Sequence, residues 1–141
     1  MHISEIYKLN ELFVSVGWNP RPENLWEVMF SMAEYLDYVR EDDKIVSFGR
    51  LVNVTPSSSL IPFYTIYDLA VNPYYNRRGF GKKIVSGFIS KLDKQKDYVL
   101  YAEALPSSIS FFDKLGFQRI HDGVIEGRII SEYRNSFISL S

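Results

Sequence analysis

The sequence predicts an α/β fold, a mixed sheet layered by helices, and three observations carry that expectation. A strand over 60–71 runs into a glycine-bearing turn, behind which Ile84, Val85, Phe88, Ile89 and Leu92 recur at helical spacing. A second strand over 98–104 is followed by a helix with Phe111, Phe112 and Leu115 on one face and Gly116 as its C-terminal cap. Upstream, 35–40 and 44–55 read as an antiparallel pair joined around Asp42-Asp43.

Each element has a local reason. Residues 5–16 form a helix with Leu9, Leu12, Phe13 and Val16 on one side, ending at Gly17. Trp18-Asn19-Pro20-Arg21-Pro22 is a rigid turn, and 23–33 form a second helix with Leu25, Met29, Met32 and Ala33 facing inward. Trp18 and Trp26 are read as packing residues. Pro56-Ser57-Ser58-Ser59 is a loop. Asn72-Pro73 ends the strand over 60–71, because proline lacks a donor and restricts the residue before it. Pro106 opens the last helix, where a missing N–H costs nothing. Residues 117–121 and 128–133 close the chain as strands.

Composition bounds the function. The 141 residues make one domain, 1–141, and 46% hydrophobic with 16% aromatic residues fits a packed core. A net charge of −1 argues against a nucleic-acid binder held by phosphate contacts. No apolar run reaches membrane-spanning length and no signal peptide opens the chain, so a cytoplasmic location is expected. With no cysteine, neither a disulfide nor an acyl-cysteine intermediate is available. With two histidines, His2 and His121, no His-rich metal site is expected, and His121 reads as a surface residue.

The chemistry concentrates at Asn76-Arg77-Arg78-Gly79-Phe80-Gly81-Lys82. The first N–H groups of the helix behind this turn carry partial positive charge, two glycines let a ligand approach the backbone, and Arg77, Arg78 and Lys82 add formal charge. That is an anion site suited to phosphate or pyrophosphate. A dinucleotide fingerprint would need glycine where Ile84 stands, and a nucleotide P-loop would need Ser or Thr where Lys83 stands.

The N-x-x-G-x-G that remains, after Asp68-Leu69-Ala70-Val71-Asn72-Pro73, resembles the pyrophosphate loop of the GNAT family of N-acetyltransferases. That loop usually begins with Gln or Arg, where this chain has Asn76. Phe111-Phe112-Asp113-Lys114-Leu115-Gly116-Phe117 is similar to the F-Y-E-K-L-G-F signature of the family's last helix. Val16-Gly17-Trp18 with Arg21-Pro22 resembles a subgroup that includes plant serotonin N-acetyltransferase-like proteins.

The resemblance implies a mixed, mainly antiparallel central sheet, splayed and flanked by helices. It implies acetyl-CoA as co-substrate, no metal, and transfer of acetyl to a primary amine by direct attack. The acceptor expected is a small molecule, with a protein lysine or N-terminal amine as the alternative; a homodimer stays open. Leu69, Ala70 and Val71 would hold the pantetheine arm and polarise the carbonyl, Asn76 to Lys82 the pyrophosphate, and Ser108, Phe111 and Phe112 the coenzyme from the last helix. Glu103 is the first candidate for the base, against the reading of a structural or surface acid, and Asp68 is the second, which could equally pair with a basic neighbour. The family's usual acid is a tyrosine where this chain has Phe112, and a phenyl ring donates no proton. Tyr101, Tyr133 or water would then protonate the thiolate. A non-catalytic acyl-CoA-binding module is the rival reading.

Overall fold

A computed structural model describes residues 5–104, 108–125 and 128–137 of the chain. The elements follow as α1 (Ile6–Ser15), α2 (Glu23–Met32), β1 (Tyr35–Glu41), β2 (Lys44–Asn53), β3 (Phe63–Val71), a 3-10 turn (Pro73–Tyr75), α3 (Phe80–Leu92), β4 (Tyr98–Ala104), α4 (Ile109–Lys114), β5 (Gln118–Ile125) and β6 (Arg128–Phe137). Hydrogen bonding orders the strands β1-β2-β3-β4-β6-β5. β3 and β4 are parallel, while β1–β2, β4–β6 and β5–β6 are antiparallel. The expected mixed, mainly antiparallel sheet with flanking helices is therefore present. Pro106 lies outside the described residues.

Two compact units divide the chain, Met1–Val52 with Asp68–Ile89 and Asn53–Tyr67 with Ser90–Ser141. The first is built on an aromatic core. Phe13, Trp26 and Phe48 are fully buried. The Phe13 and Trp26 rings lie 5.0 Å apart, and Phe48 meets Trp26 nearly edge-on at 5.8 Å. α1 ends in a Schellman motif: Gly17 adopts φ +84°, its N–H donates to Val14 O (3.0 Å), and Trp18 N–H donates to Phe13 O (2.9 Å). The Trp18 ring then stands 4.9 Å from Phe13, the hydrophobic contact that this motif favours. In α2 the inward residues are Trp26 and Met29, whereas Leu25 and Met32 are 42% and 63% exposed. Met29 is thus buried as expected, whereas Trp26 takes the inward place expected of Leu25 and Met32 is left exposed. Burying Trp26 removes more apolar surface than burying Leu25, and the helix turns to do so.

The β1–β2 hairpin closes through Asp42 and Asp43, both at positive φ (51° and 61°), the two-residue turn whose twist matches paired strands. Gly49 in β2 allows α3 to approach. A Cβ there would lie 3.0 Å from Ile84 Cγ2 and 3.2 Å from Leu69 Cδ1.

In the second unit the first half of β3 pairs with β4 from Phe63↔Val99 to Ile66↔Ala102. β4 runs on to Ala104, paired antiparallel with β6 as far as Ala104↔Ser131. The strand expected from residue 60 begins at Phe63, and Leu60 is fully exposed. α4 repeats the Schellman ending: Gly116 N–H donates to Asp113 O and Phe117 N–H to Phe112 O, both 3.1 Å. The buried Phe112 ring packs on Phe117 at 5.3 Å and Phe111 at 5.0 Å.

Candidate active site

The candidate anion loop is assembled within the first unit. Asn72 accepts from Tyr74 N–H through Oδ1 (3.0 Å), capping the 3-10 turn that carries the chain out of β3. Arg77 (φ 64°) and Gly79 (φ 77°) are both left-handed. That alternation turns successive N–H groups toward one side, the backbone pattern of anion nests. Gly79 O then accepts from Lys83 N–H (2.9 Å), the first bond of α3. The amides of Phe80, Gly81 and Lys82 precede it and have no partner within the helix. Asn76, Arg77, Arg78, Gly79 and Lys82 are exposed, Phe80 is half-buried and Gly81 is buried.

The β1–β2 hairpin tip reaches this loop. Tyr75 donates its hydroxyl to Asp42 Oδ2 (2.8 Å), and the Arg78 guanidinium lies 5.1 Å over the Tyr75 ring. The hydrogen bond to Asp42 raises the Tyr75 hydroxyl above its ordinary value, so the phenol stays a donor. Donor set and backbone both suit a doubly charged phosphate group.

Just upstream, β3 bulges at Asp68. Asp68 takes φ 59° in the middle of the strand, the left-handed conformation of a bulge residue, and just past the strand Asn72 N–H donates to Val46 O (2.8 Å). Aspartate tolerates the left-handed region better than most side chains, yet it still costs about 1 kcal/mol.

That conformation is held by two arginines. Arg21 Nη1 and Nη2 donate to both Asp68 oxygens (2.8 and 2.9 Å), and Arg50 Nε adds a third bond at 2.6 Å. The Asp68 side chain is only 11% exposed. Burial pushes its carboxyl upward, but the hydrogen bonds from Arg21 and Arg50 outweigh it and hold Asp68 below the usual carboxylate range. Arg21 is itself fixed, 4.8 Å over Phe13 and 5.4 Å over Trp26, with Asn10 clasping its backbone through Nδ2–H to Arg21 O and Arg21 N–H to Oδ1 (both 2.9 Å). Trp26 Nε1–H shares that same Asn10 oxygen (2.9 Å). Sequence reasoning allowed Asp68 a basic neighbour but did not identify Arg21 or Arg50. The available signal was one carboxylate in the apolar run Thr65-Ile66-Tyr67-Asp68-Leu69-Ala70-Val71, which a buried strand does not carry without a cationic partner.

Leu69, Ala70 and Val71 follow the bulge. Ala70 is buried, and its carbonyl accepts from the Ser47 hydroxyl (3.0 Å). In the second unit, Tyr101 and Glu103 both lie on β4. Tyr101 stacks on Phe63 (5.9 Å between rings, 16° between planes), and Glu103 is exposed. Ser108 precedes α4, Phe111 is half-buried and Phe112 is buried. The side chains of His121 and Tyr133 lie outside the described residues. Among the described residues no cluster of metal-ligating side chains occurs, and no helix is long and apolar enough to cross a membrane.

Known proteins agree with this architecture. The sequence profile of the acetyltransferase (GNAT) family matches residues 3–117. An uncharacterized N-acetyltransferase, ycf52, of Porphyra purpurea is 32% identical over 120 residues, covering 84% of this chain and 68% of that protein. The [ribosomal protein bS18]-alanine N-acetyltransferase of Haemophilus ducreyi is 27% identical over 92 residues, covering 62% and 59%. Among solved structures, Arabidopsis thaliana Naa50 in complex with the bisubstrate analogue CoA-Ac-MVNAL superposes with a TM-score of 0.78 at 17% identity, over 97% of this chain and 95% of that one. The crystal structure of smu.2055 from Streptococcus mutans UA159 superposes equally well, at 0.78 and 20% identity, over 97% and 96%. Loop, bulge and closing helix thus sit in a chain that belongs to the acetyltransferase (GNAT) family, an acetyl-CoA-dependent N-acetyltransferase.

Proposed function

We propose that the chain acetylates the primary amine of a small molecule, acting in the cytoplasm by direct attack on the thioester of acetyl-CoA. The observation that carries the cofactor half is the left-handed, cationic loop from Asn76 to Lys82 ahead of α3. Its amides and the charges of Arg77, Arg78 and Lys82 hold the pyrophosphate. Leu69 and Val71 offer backbone groups to the pantetheine arm and to the carbonyl, whose oxygen gains charge in the tetrahedral intermediate. Ser108, which precedes α4, and Phe111 and Phe112 within it complete the coenzyme contacts.

The amine must be neutral to attack. Glu103 takes its proton, directly or through water. Asp68 is set aside as a base, because three guanidinium hydrogen bonds already stabilise its charged form. The amine nitrogen bonds to the carbonyl carbon, the carbon–sulfur bond breaks, and the departing thiolate is protonated by water or by Tyr101.

A protein N-terminal amine is the second reading, favoured by the likeness to the Haemophilus ducreyi enzyme. One assay separates the readings: thiol release from acetyl-CoA with small amines in one arm and short peptides bearing a free α-amine in the other. Release with small amines, with mass spectrometry locating one acetyl group on the amine, supports the first. Release with peptides alone selects the second. Bound acetyl-CoA with no release in either arm leaves a binding module and overturns both.

A further inference from the structure

Asp68 sits where three things meet within one unit: the bulge of β3, Arg50 from β2, and Arg21 from the loop between α1 and α2. A bulge leaves a residue of its strand without a ladder partner, and a buried peptide group in that state needs another one. Leu69, which the proposed function assigns to the thioester carbonyl, is the next residue along. The clamp is specific in geometry, since Arg21 grips both carboxylate oxygens in a planar fork. It is also anchored, because Arg21 cannot move without disturbing Asn10, Phe13 and Trp26.

We propose that Asp68 is a positioning residue: clamped by Arg21 and Arg50, it keeps the β3 bulge in the left-handed form that presents the Leu69 backbone to the acetyl carbonyl, and it ties the α1–α2 loop to that point. The inference rests on the acetyl-transfer reading and assigns residues that the loop motif does not contain. No proton passes through Asp68. Its carboxylate has all of its chemistry committed to the two guanidinium groups.

The test is the infrared stretch of acetyl-CoA labelled at its carbonyl carbon, bound to the full chain, alongside calorimetric affinity and turnover. A hydrogen-bonded thioester carbonyl absorbs at lower frequency than a free one. Wild type is expected to lower the stretch. Asp68→Ala, and Arg21→Met, which keeps an apolar stem against Phe13 and Trp26, should return it toward the free value with affinity nearly unchanged and turnover down about a hundredfold, the range for losing one carbonyl-polarising donor. Asp68→Asn tolerates left-handed backbone, and its one amide oxygen can still accept from Arg21 Nη1 and Arg50 Nε while the bond from Nη2 is lost, so it should keep part of the shift and more turnover than Asp68→Ala.

A lowered stretch that persists in both Asp68→Ala and Arg21→Met overturns the clamp. So does turnover lost in Asp68→Asn with the stretch intact, which would make Asp68 the proton acceptor. Should Asp68→Ala not fold, Arg21→Met decides alone. Failure of the wild type to bind acetyl-CoA would instead overturn the acetyl-transfer reading and the clamp with it. Failure of the clamp alone is recognised by acetyl-CoA that binds and turns over in the wild type, with a carbonyl stretch that both variants leave unchanged.

Discussion

Asp68 and Arg77 share one backbone conformation and differ in everything else. Both are non-glycine residues at positive φ, 59° and 64°. Asp68 is nearly buried, and three charge-assisted bonds over-determine its geometry. Arg77 is exposed, and among the described residues no ion pair holds it. Backbone strain of this kind persists only where surroundings enforce it or a ligand rewards it. The bulge is therefore set by the fold, whereas the loop, on the proposed function, would be completed by the pyrophosphate. Rigid geometry lies at the proposed carbonyl site, and adaptable charge at the proposed phosphate site.

The largest expected break is in the loop. Gly81→Glu places bulk and negative charge among the amides at the start of α3, and acetyl-CoA binding should be abolished in calorimetry. Unchanged affinity in a variant with native circular dichroism would remove the phosphate assignment from this loop.

Next comes the stability of the clamp. Asp68→Ala leaves two largely buried guanidinium groups facing each other and should cost on the order of 3 kcal/mol in denaturant unfolding. The pH dependence follows from the sign of the shift. The folded-state value of Asp68 lies below the ordinary 3.8, so its contribution is complete above that value and is lost as pH falls through the folded one. Melting temperatures from about pH 7 to about pH 3 should therefore fall more steeply for wild type than for Asp68→Asn, which has no carboxylate there to protonate. Parallel curves would mean that the clamp adds no pH-linked stability.

A smaller effect sharpens the anion side. Arg78→Ala should weaken coenzyme A about tenfold while barely affecting a pantetheine fragment without phosphates, since a charge-assisted bond is worth about 1.5 kcal/mol. Equal losses for both ligands would mean that Arg78 acts through Tyr75 and the hairpin tip instead. Smallest is Arg77→Gly. It relieves a left-handed side chain and should stabilise the free protein by up to about 1 kcal/mol, while weakening coenzyme binding most at low salt. A destabilised variant would show that Arg77 is held by the fold, as Asp68 is.

These two residues also mark where the sequence was readable. The loop was legible because its glycines, cations and helix onset are contiguous, and contiguous residues obey local rules. β4 was legible over its full span, 98–104, for the same reason. The Gly116 cap was readable too, and the structure adds that Phe112 and Phe117 form the apolar contact closing that helix. That contact gives Phe112 a packing role whatever the source of the proton. The clamp was not legible, because Arg21, Arg50 and Asp68 are brought together only by tertiary folding. Periodicity also misplaced Leu25 and Met32, since it marks a helix's apolar stripe to within a residue and cannot weigh Trp26 against its neighbours.

The contrast between a prepared bulge and a ligand-completed loop is tested most directly by amide hydrogen exchange with and without acetyl-CoA. The Asn72 amide, which pairs with Val46 O just past the bulge, should exchange slowly in the free protein and change little, whereas those at 78–82 should exchange fast and become strongly protected when the coenzyme binds. Loop amides left unprotected by bound acetyl-CoA, or an Asn72 amide that exchanges freely until the coenzyme arrives, would contradict the account.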